Sequence, residues 1–407
     1  MIKPEILSPA GDRASFDAAL QYGADAVYLA GKRFGMRTAP DNFSLEDMRR
    51  AVADAHKCGV KVYVTCNILP RSEQLRELPE YLQQLDDMGV DAIIAADLGV
   101  ISMIPRYAPH VALHASTQLG VVNEYTAQVL ADMGASRVVL ARELSLREIE
   151  HIRNHTPSHL ELEAFVHGAM CVSYSARCLL SSYLTGRHAD QGDCTQPCRW
   201  KYQVTEMARP NQPITVEQDD EGTFLFNAND LRMIEHLPQL HQAGINSFKI
   251  EGRAKAEYYV ACVTQAYRMA VDEYAAAGFS AEHRVSDWIT QEADKVSHRP
   301  YGTGFYFGEP AQDTARGGYI RDFAVAAVVE GYQDGYLLAT QRNRFFDGDT
   351  LDALIPGQPP CSIKVCGLQN GDGESISAAP HPMMPLRIPH PHALPVGSML
   401  RIACKSQ

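Results

Sequence analysis

No stretch of about 18 uninterrupted apolar residues occurs in this sequence, which excludes a simple membrane-spanning helix. The opening words, MIKPEILSPAGD, lack the apolar core of a secretory signal, so the expected compartment is the cytoplasm. There is no excess of positive charge: 37 Lys and Arg against 49 Asp and Glu leave a formal net charge of −12. That balance argues against a protein that coats nucleic acid with its whole surface, though not against a local basic patch. A G-x-G-x-x-G turn is missing after the first strand candidate, which ends in SPAGD, and this weakens a dinucleotide-binding reading. H-E-x-x-H is missing too; the nearest pattern, HIRNH at 151–155, lacks the glutamate base and is rejected as a metal site. No Ser-His-Asp or Cys-His arrangement marks a nucleophile.

What is present points to a two-part soluble chain. Its 407 residues, 45% hydrophobic and 21% charged, suffice for one large barrel with an appendage. Up to residue 253, short continuous apolar runs alternate with amphipathic helices: EILS, DAVYL, KVYVTCN, DAIIAA, VALHAS, RVVLAR, LELEAFVH, TFLFN and SFKIEG. Continuous runs are the pattern of parallel strands buried on both faces. Several follow one device, a helix end, a glycine and a strand, as in DMGVDAIIAAD and QAGINSFKIEG. SLEDMRRAVADAHKCG and SLREIEHIRNH both begin with a serine followed three residues on by an acid, close to a capping box. The expected fold class is α/β, a (β/α)8 TIM-like barrel over residues 1–283 with a long cysteine-rich insertion after the seventh strand. Residues 284–318 read as a linker. From 319 to 407 the texture becomes β, with an Asp-Gly hairpin signal in AVAAVVEGYQDGYLLATQRNRF, so a small antiparallel, barrel-like β domain is expected. Its cysteines, Cys361, Cys366 and Cys404, read as unpaired buried thiols.

Barrel enzymes carry reactive groups at the C-terminal ends of their strands. Those ends supply Asn67, Asp97, His114, Ser116, Gln118, Arg142, Glu143, Glu163, His167, Asn227, Asp230, Lys249, Glu251 and Arg253. So many polar groups in apolar strands would be costly if buried unpaired. A shared polar cavity relieves that cost, and so would structural salt bridges such as Arg142 with Glu163. Four thiols fall in C-x6-C-x15-C-x3-C: Cys171, Cys178, Cys194 and Cys198. A cytoplasmic setting disfavours disulfides. The lack of C-x2-C favours an iron–sulfur cluster over structural zinc, and free or redox thiols stay open.

The words ELEAFVHGAMCVSYSARCLLSSYLTGR and GDCTQPCRW closely resemble the signature of the U32 family, historically called collagenase-like peptidases. PEILSPAG, GADAVYLAG, ALHASTQ, RVVLARELS and FKIEGRAK extend the resemblance over most of the chain. It is nearest to the branch that hydroxylates tRNA, forming 5-hydroxyuridine at the wobble position. The resemblance implies an iron–sulfur cluster, of the 4Fe-4S kind, on Cys171, Cys178, Cys194 and Cys198. It also implies prephenate rather than O2 as the source of the hydroxyl, together with an electron donor. Where the family often has Ser-Gly before the second cysteine, this chain has Ala176. The expected substrate and donor cavity comprises His114, Gln118, Arg142, Glu163, His167, Lys249 and Arg253, with Arg142 or Arg253 gripping a dicarboxylate. Arg177, Arg187, Arg199 and Lys201 are the expected contacts to the phosphates of a tRNA anticodon loop. The peptidase name fits poorly, because a protease needs an activated nucleophile or a metal-bound water. A peptidase and a non-catalytic cluster-bearing RNA-binding or assembly subunit stand as the alternatives.

Overall fold

The computed structural model describes residues 3–36, 42–171, 173–176, 178–187, 189, 193–200, 218–219, 222–223, 228–310 and 319–404. Eight parallel strands close a barrel: β1 (Glu5–Pro9), β2 (Ala26–Ala30), β3 (Lys61–Cys66), β4 (Ala92–Ala95), β5 (Ala112–Ala115), β6 (Ala135–Val139), β7 (Glu161–Gly168) and β8 (Ser247–Ile250). Neighbours pair in chain order, and β8 closes the ring by pairing with both β7 and β1. Leu7, Ala26, Tyr28, Tyr63, Ala92 and Ile94 fill the barrel interior. Alternate residues point outward into a larger core beneath the surrounding helices, as the two-residue period of a strand requires.

Helix starts follow the chemistry of their first residues. The helices α1 (Arg13–Gln21) and α2 (Leu45–Lys57) begin on Asp12 and Ser44, and Ser44 forms a reciprocal capping box with Asp47. A later helix, Leu146–Asn154, begins on the same box made by Ser145 and Glu148. Gly244 (φ 94°) turns the chain into β8; a Cβ there would lie 2.3 Å from the Arg153 side chain, so both conformation and space call for glycine.

The stretch expected as a linker departs from that expectation. Helix Asp287–Asp294 packs on helix Glu257–Ala276, burying Ile289, Ala293 and Val296, and Tyr301–Gly302 adds a short strand beside Asp230–Arg232. The barrel domain therefore runs to about residue 310.

Beyond it lies an antiparallel sheet of seven strands in open order. Its central pair, β9 (Phe323–Gln333) and β10 (Tyr336–Gln341), is joined by Asp334 and Gly335, both at positive φ as a tight hairpin requires. Cys361, Cys366 and Cys404 are exposed rather than buried. Cys361 belongs to the edge strand Cys361–Lys364, whose outward face meets solvent. The sheet is clamped to the barrel by buried charges: Arg401 bonds Glu292 at 2.8 Å and Asp352 at 2.7 Å, and Lys295 bonds both acids at 2.7 Å. Tyr22 of the barrel adds a hydrogen bond to the Gly397 carbonyl at 2.9 Å. Among the described residues no helix is long and apolar enough to cross a membrane.

Candidate active site: a cationic barrel mouth beside a thiol loop

A cavity of about 100 Å³ opens at the C-terminal ends of the strands. Gln118, Arg142, Lys249, Glu251, Arg253 and Asn67 supply its polar wall, and Tyr28 and Phe165 supply ring faces. Each cation is held in place. Lys249 Nζ donates to Glu163 Oε1 at 2.7 Å and lies 4.6 Å from the centre of the Tyr28 ring. Arg142 lies over Phe165 at 3.9 Å, donates to the Ala169 carbonyl at 3.0 Å and faces Glu251 at 3.7 Å. Arg253 donates to Thr65 Oγ1 at 3.0 Å, and Asn67 donates to Gln118 Oε1 at 2.8 Å. Among the described lining residues Glu251 is the one carboxylate against three cations, so the cavity suits an anion.

Beneath the mouth a buried charge layer supports it. Arg137 bonds Glu5 at 2.5 Å, Glu161 at 2.6 Å and Glu163 at 3.1 Å. Burial opposes ionisation of Glu5, yet the Arg137 charge and hydrogen bonds outweigh it and hold this carboxyl below its usual range.

The thiol loop leaves β7 at Gly168 (φ 106°), where a Cβ would lie 2.3 Å from the Glu251 carbonyl. Only glycine admits that approach, which carries the chain from the mouth to Cys171. Two residues hold the next turn: Glu143 accepts from the Ser175 amide at 2.6 Å and from its hydroxyl at 2.8 Å. Ser175 is thereby fixed at φ 42°, a left-handed conformation that side chains other than glycine rarely adopt. Burial pushes the Cys171 thiol up, the Ser173 amide and Arg142 oppose that, and Cys178 and Cys194 are near enough to add to it. The Leu180 amide lies 3.3 Å from Cys178 Sγ and the Gln196 amide 3.4 Å from Cys194 Sγ. Three thiols thus each take a backbone N–H from two residues onward. Among the described residues no three His, Cys, Asp or Glu side chains converge closely enough to hold a single metal ion. Neighbouring thiols that each accept an amide N–H are donors of the type an iron–sulfur cluster takes. A second cavity, about 320 Å³, is lined by Cys171 together with Glu143, Met170, Tyr174, Asn229 and Phe305. Because Arg142 lines the first cavity and Glu143 the second, the two lie on either side of one backbone step.

Residues 11–316 match peptidase family U32, and residues 321–401 match the U32 C-terminal domain. The chain belongs to the U32 family. It is 36% identical over 388 residues to tRNA hydroxylation protein P1 of Bacillus subtilis, covering 94% of this chain and 90% of that one. It is 34% identical over 440 residues to tRNA hydroxylation protein P of Escherichia coli, covering 97% and 95%. A third relative, the 23S rRNA 5-hydroxycytidine C2501 synthase of Escherichia coli, is 36% identical over 313 residues, 74% of this chain and 45% of that one.

Within this U32 barrel the expected site residues divide. Gln118, Arg142, Lys249 and Arg253 line the mouth cavity. Glu163 lies fully buried beneath it, paired with Lys249 and Arg137 rather than with Arg142. His114 sits a layer lower against Tyr63, ring centres 4.7 Å apart, and its Nδ1 has no hydrogen-bond partner among the described residues. His167 points away altogether. A bulge sets it opposite Ile250, turning its ring outward to Tyr267 (3.3 Å) and Tyr301 (3.5 Å). Burial holds both histidines neutral, with neighbouring cations acting in the same direction. Asp97 caps a helix and Asp230 pairs with Arg299 at 2.7 Å, so both have structural work. Arg187 is exposed and paired with Asp193, its Nε donating at 2.7 Å. Arg177, Lys201, Asn227 and the Arg199 side chain lie outside the described residues. Tyr28, Thr65 and Phe165 line the mouth but were not foreseen; Thr65 and Phe165 share the strand parity of Asn67 and Glu163, two residues away, whereas β2, which carries Tyr28, offered no expected site residue.

Proposed function

We propose that this protein hydroxylates RNA, placing a hydroxyl on C5 of the wobble uridine of tRNA in the cytoplasm. The observation that carries the reading is similarity over nearly the whole chain to two proteins named for tRNA hydroxylation. A shorter match to an rRNA 5-hydroxycytidine synthase points to the same position of a pyrimidine ring. Converting C–H to C–OH withdraws two electrons from the base, so the site needs redox help beyond amino-acid side chains. In this reading Cys171, Cys178, Cys194 and Cys198 hold an iron–sulfur cluster of the 4Fe-4S kind, which supplies electron transfer when bound. The balance closes when the hydroxyl donor takes both electrons, its C–O bond breaking and hydrogen replacing the hydroxyl it gives up; an electron-donor protein would keep the cluster in its working oxidation state.

The chain's own residues then bind and orient. Arg142, Lys249 and Arg253 suit the carboxylates of a small dicarboxylate such as prephenate, which we infer to be the hydroxyl donor. The larger cavity, with the exposed Tyr174 ring and the apolar Met170 and Phe305, suits a pyrimidine splayed from a single-stranded loop. A wobble base pays little unpairing cost to enter. Proteolysis finds less support: no histidine lines the mouth cavity among the described residues, and about 100 Å³ is small for a peptide.

Mass spectrometry of tRNA nucleosides from a deletion strain tests the reading. 5-Hydroxyuridine derivatives are expected to disappear, to return with the wild-type gene and to stay absent with Cys171→Ala. Their persistence in a strain without a second such gene overturns it. Protein purified anaerobically should be brown, with iron and sulfide; a colourless protein with stoichiometric zinc rules out the cluster.

A further inference from the structure

We propose that the C-terminal β domain carries a docking patch for the RNA backbone, built on Arg342 and Arg344 with Phe346 and Met383 beside them. The inference rests on the RNA-hydroxylase reading and adds a second point of contact, remote from the base being modified.

The patch occupies the turn after β10. Arg342 reaches the Gln341 carbonyl at 3.5 Å and Met383 Sδ at 3.1 Å, and Arg344 lies 4.9 Å over the Phe346 ring. Neither guanidinium has a carboxylate partner among the described residues. The acids nearest in sequence are turned onto backbone amides instead. Asp347 accepts from Gly367 at 2.8 Å and Leu368 at 3.0 Å, and Asp349 accepts from Phe346 at 2.7 Å. Elsewhere in this acidic chain arginines are commonly paired, as Arg13, Arg33, Arg50 and Arg232 are. Phe346 is 45% exposed and Met383 62% exposed. Guanidinium groups bind phosphate through forked donors, and an exposed ring carrying a stacked cation offers a face to a base. An acidic peptide would use the arginines but has no need of the ring, so RNA is the better fit.

The patch lies part-way along the β domain, between the barrel mouth and the opposite end of the barrel. Lys255, two residues beyond Arg253, lies over the Tyr319 ring at 4.4 Å, and from there the chain runs into β9. The far part of β9 lies towards the opposite end: Gly397 bonds Val329 at 2.8 Å, while neighbouring Val396 meets Gln21, the last residue of α1. The Arg342 turn holds the stretch between. The amides of Arg342 and Asn343 bond the Ala326 carbonyl at 2.7 and 3.2 Å, and Asn343 Nδ2 bonds the Val325 carbonyl at 2.8 Å.

Fluorescence anisotropy with an unmodified tRNA transcript, and with its anticodon hairpin alone, tests the patch in the full chain. R342E/R344E should bind the transcript at least about tenfold more weakly, with the slope of log K against log salt reduced by about two. F346A should weaken binding less and leave the slope unchanged. Hairpin affinity and melting temperature should stay at wild-type values in both. Equal transcript affinity and salt slope in wild type and the double variant overturn the proposal. So does loss of polyglutamate binding with tRNA binding intact, which assigns the patch to a protein. If the wild type binds no tRNA and the deletion strain keeps its 5-hydroxyuridine, it is the hydroxylase reading that fails. If tRNA is modified normally and the double variant binds as the wild type does, only the patch fails.

Discussion

In the barrel, Lys249 stands on a strand paired on both sides, and its ammonium rests on the buried carboxylate of Glu163. In the loop after β7, Cys171 stands in irregular chain, positioned by a glycine approach and by the grip of Glu143 on Ser175. The first arrangement fixes side chains through a ladder of backbone bonds and a buried charge layer. The second fixes them through a few side-chain bonds to a strained turn. The comparison teaches that the mouth and the thiol loop, though adjacent, fail in different ways. Damage to the charge layer is felt by the whole fold, whereas damage to the loop stays local.

The largest effect is expected from Glu163. Glu163→Ala leaves Arg137 and Lys249 buried with one carboxylate fewer, and should cost about 3–5 kcal/mol in denaturant unfolding. A cost below about 1 kcal/mol would show that Glu5 and Glu161 neutralise the layer unaided, and would break the contrast with the loop.

An intermediate effect concerns pH. His114 and His167 are buried and held neutral, well below the ordinary value of 6.5. A depressed folded-state pKa means that the unfolded chain binds protons first as pH falls. The stability each neutral ring contributes is therefore complete above about pH 6.5 and declines below it, by about 1.4 kcal/mol per pH unit per histidine. Urea unfolding between pH 7.5 and 5 should show this slope, and His167→Gln should flatten it. An unchanged slope in that variant would mean that His167 is protonated inside its ring of tyrosines.

Much of the fold was legible because its signals are local. Strands buried on both faces leave continuous apolar runs, Ser44 and Ser145 announce their capping boxes, and Asp334-Gly335 announces its hairpin. The outward turn of His167 was not legible: one extra residue in β7 against β8 changes which face it meets, and pairing is a property of two strands together. Reading 284–318 as a linker gave weight to its polarity over the spacing of Ile289, Ala293 and Val296, which one buried helix face and its exit explain. Nor could composition reveal that Glu143 holds a turn 32 residues away.

That grip offers the smallest global effect and the sharpest local one. Glu143→Ala removes two hydrogen bonds from Ser175 and leaves its left-handed conformation unsupported. Because the side-chain hydrogen bonds of Glu143 among the described residues go to Ser175, in the loop, the melting temperature should fall by only a few degrees. The turn between Cys171 and Cys178 should nevertheless open more often, and these half-exposed thiols should react with an alkylating reagent about tenfold faster in metal-free protein. Glu143→Gln keeps an acceptor for one of the two donors and should fall between alanine and wild type. Equal alkylation rates in all three proteins would mean that the barrel mouth, through Gly168 and Arg142, holds the thiol loop without Glu143. The loop would then belong energetically to the barrel, and the contrast between the two regions would dissolve.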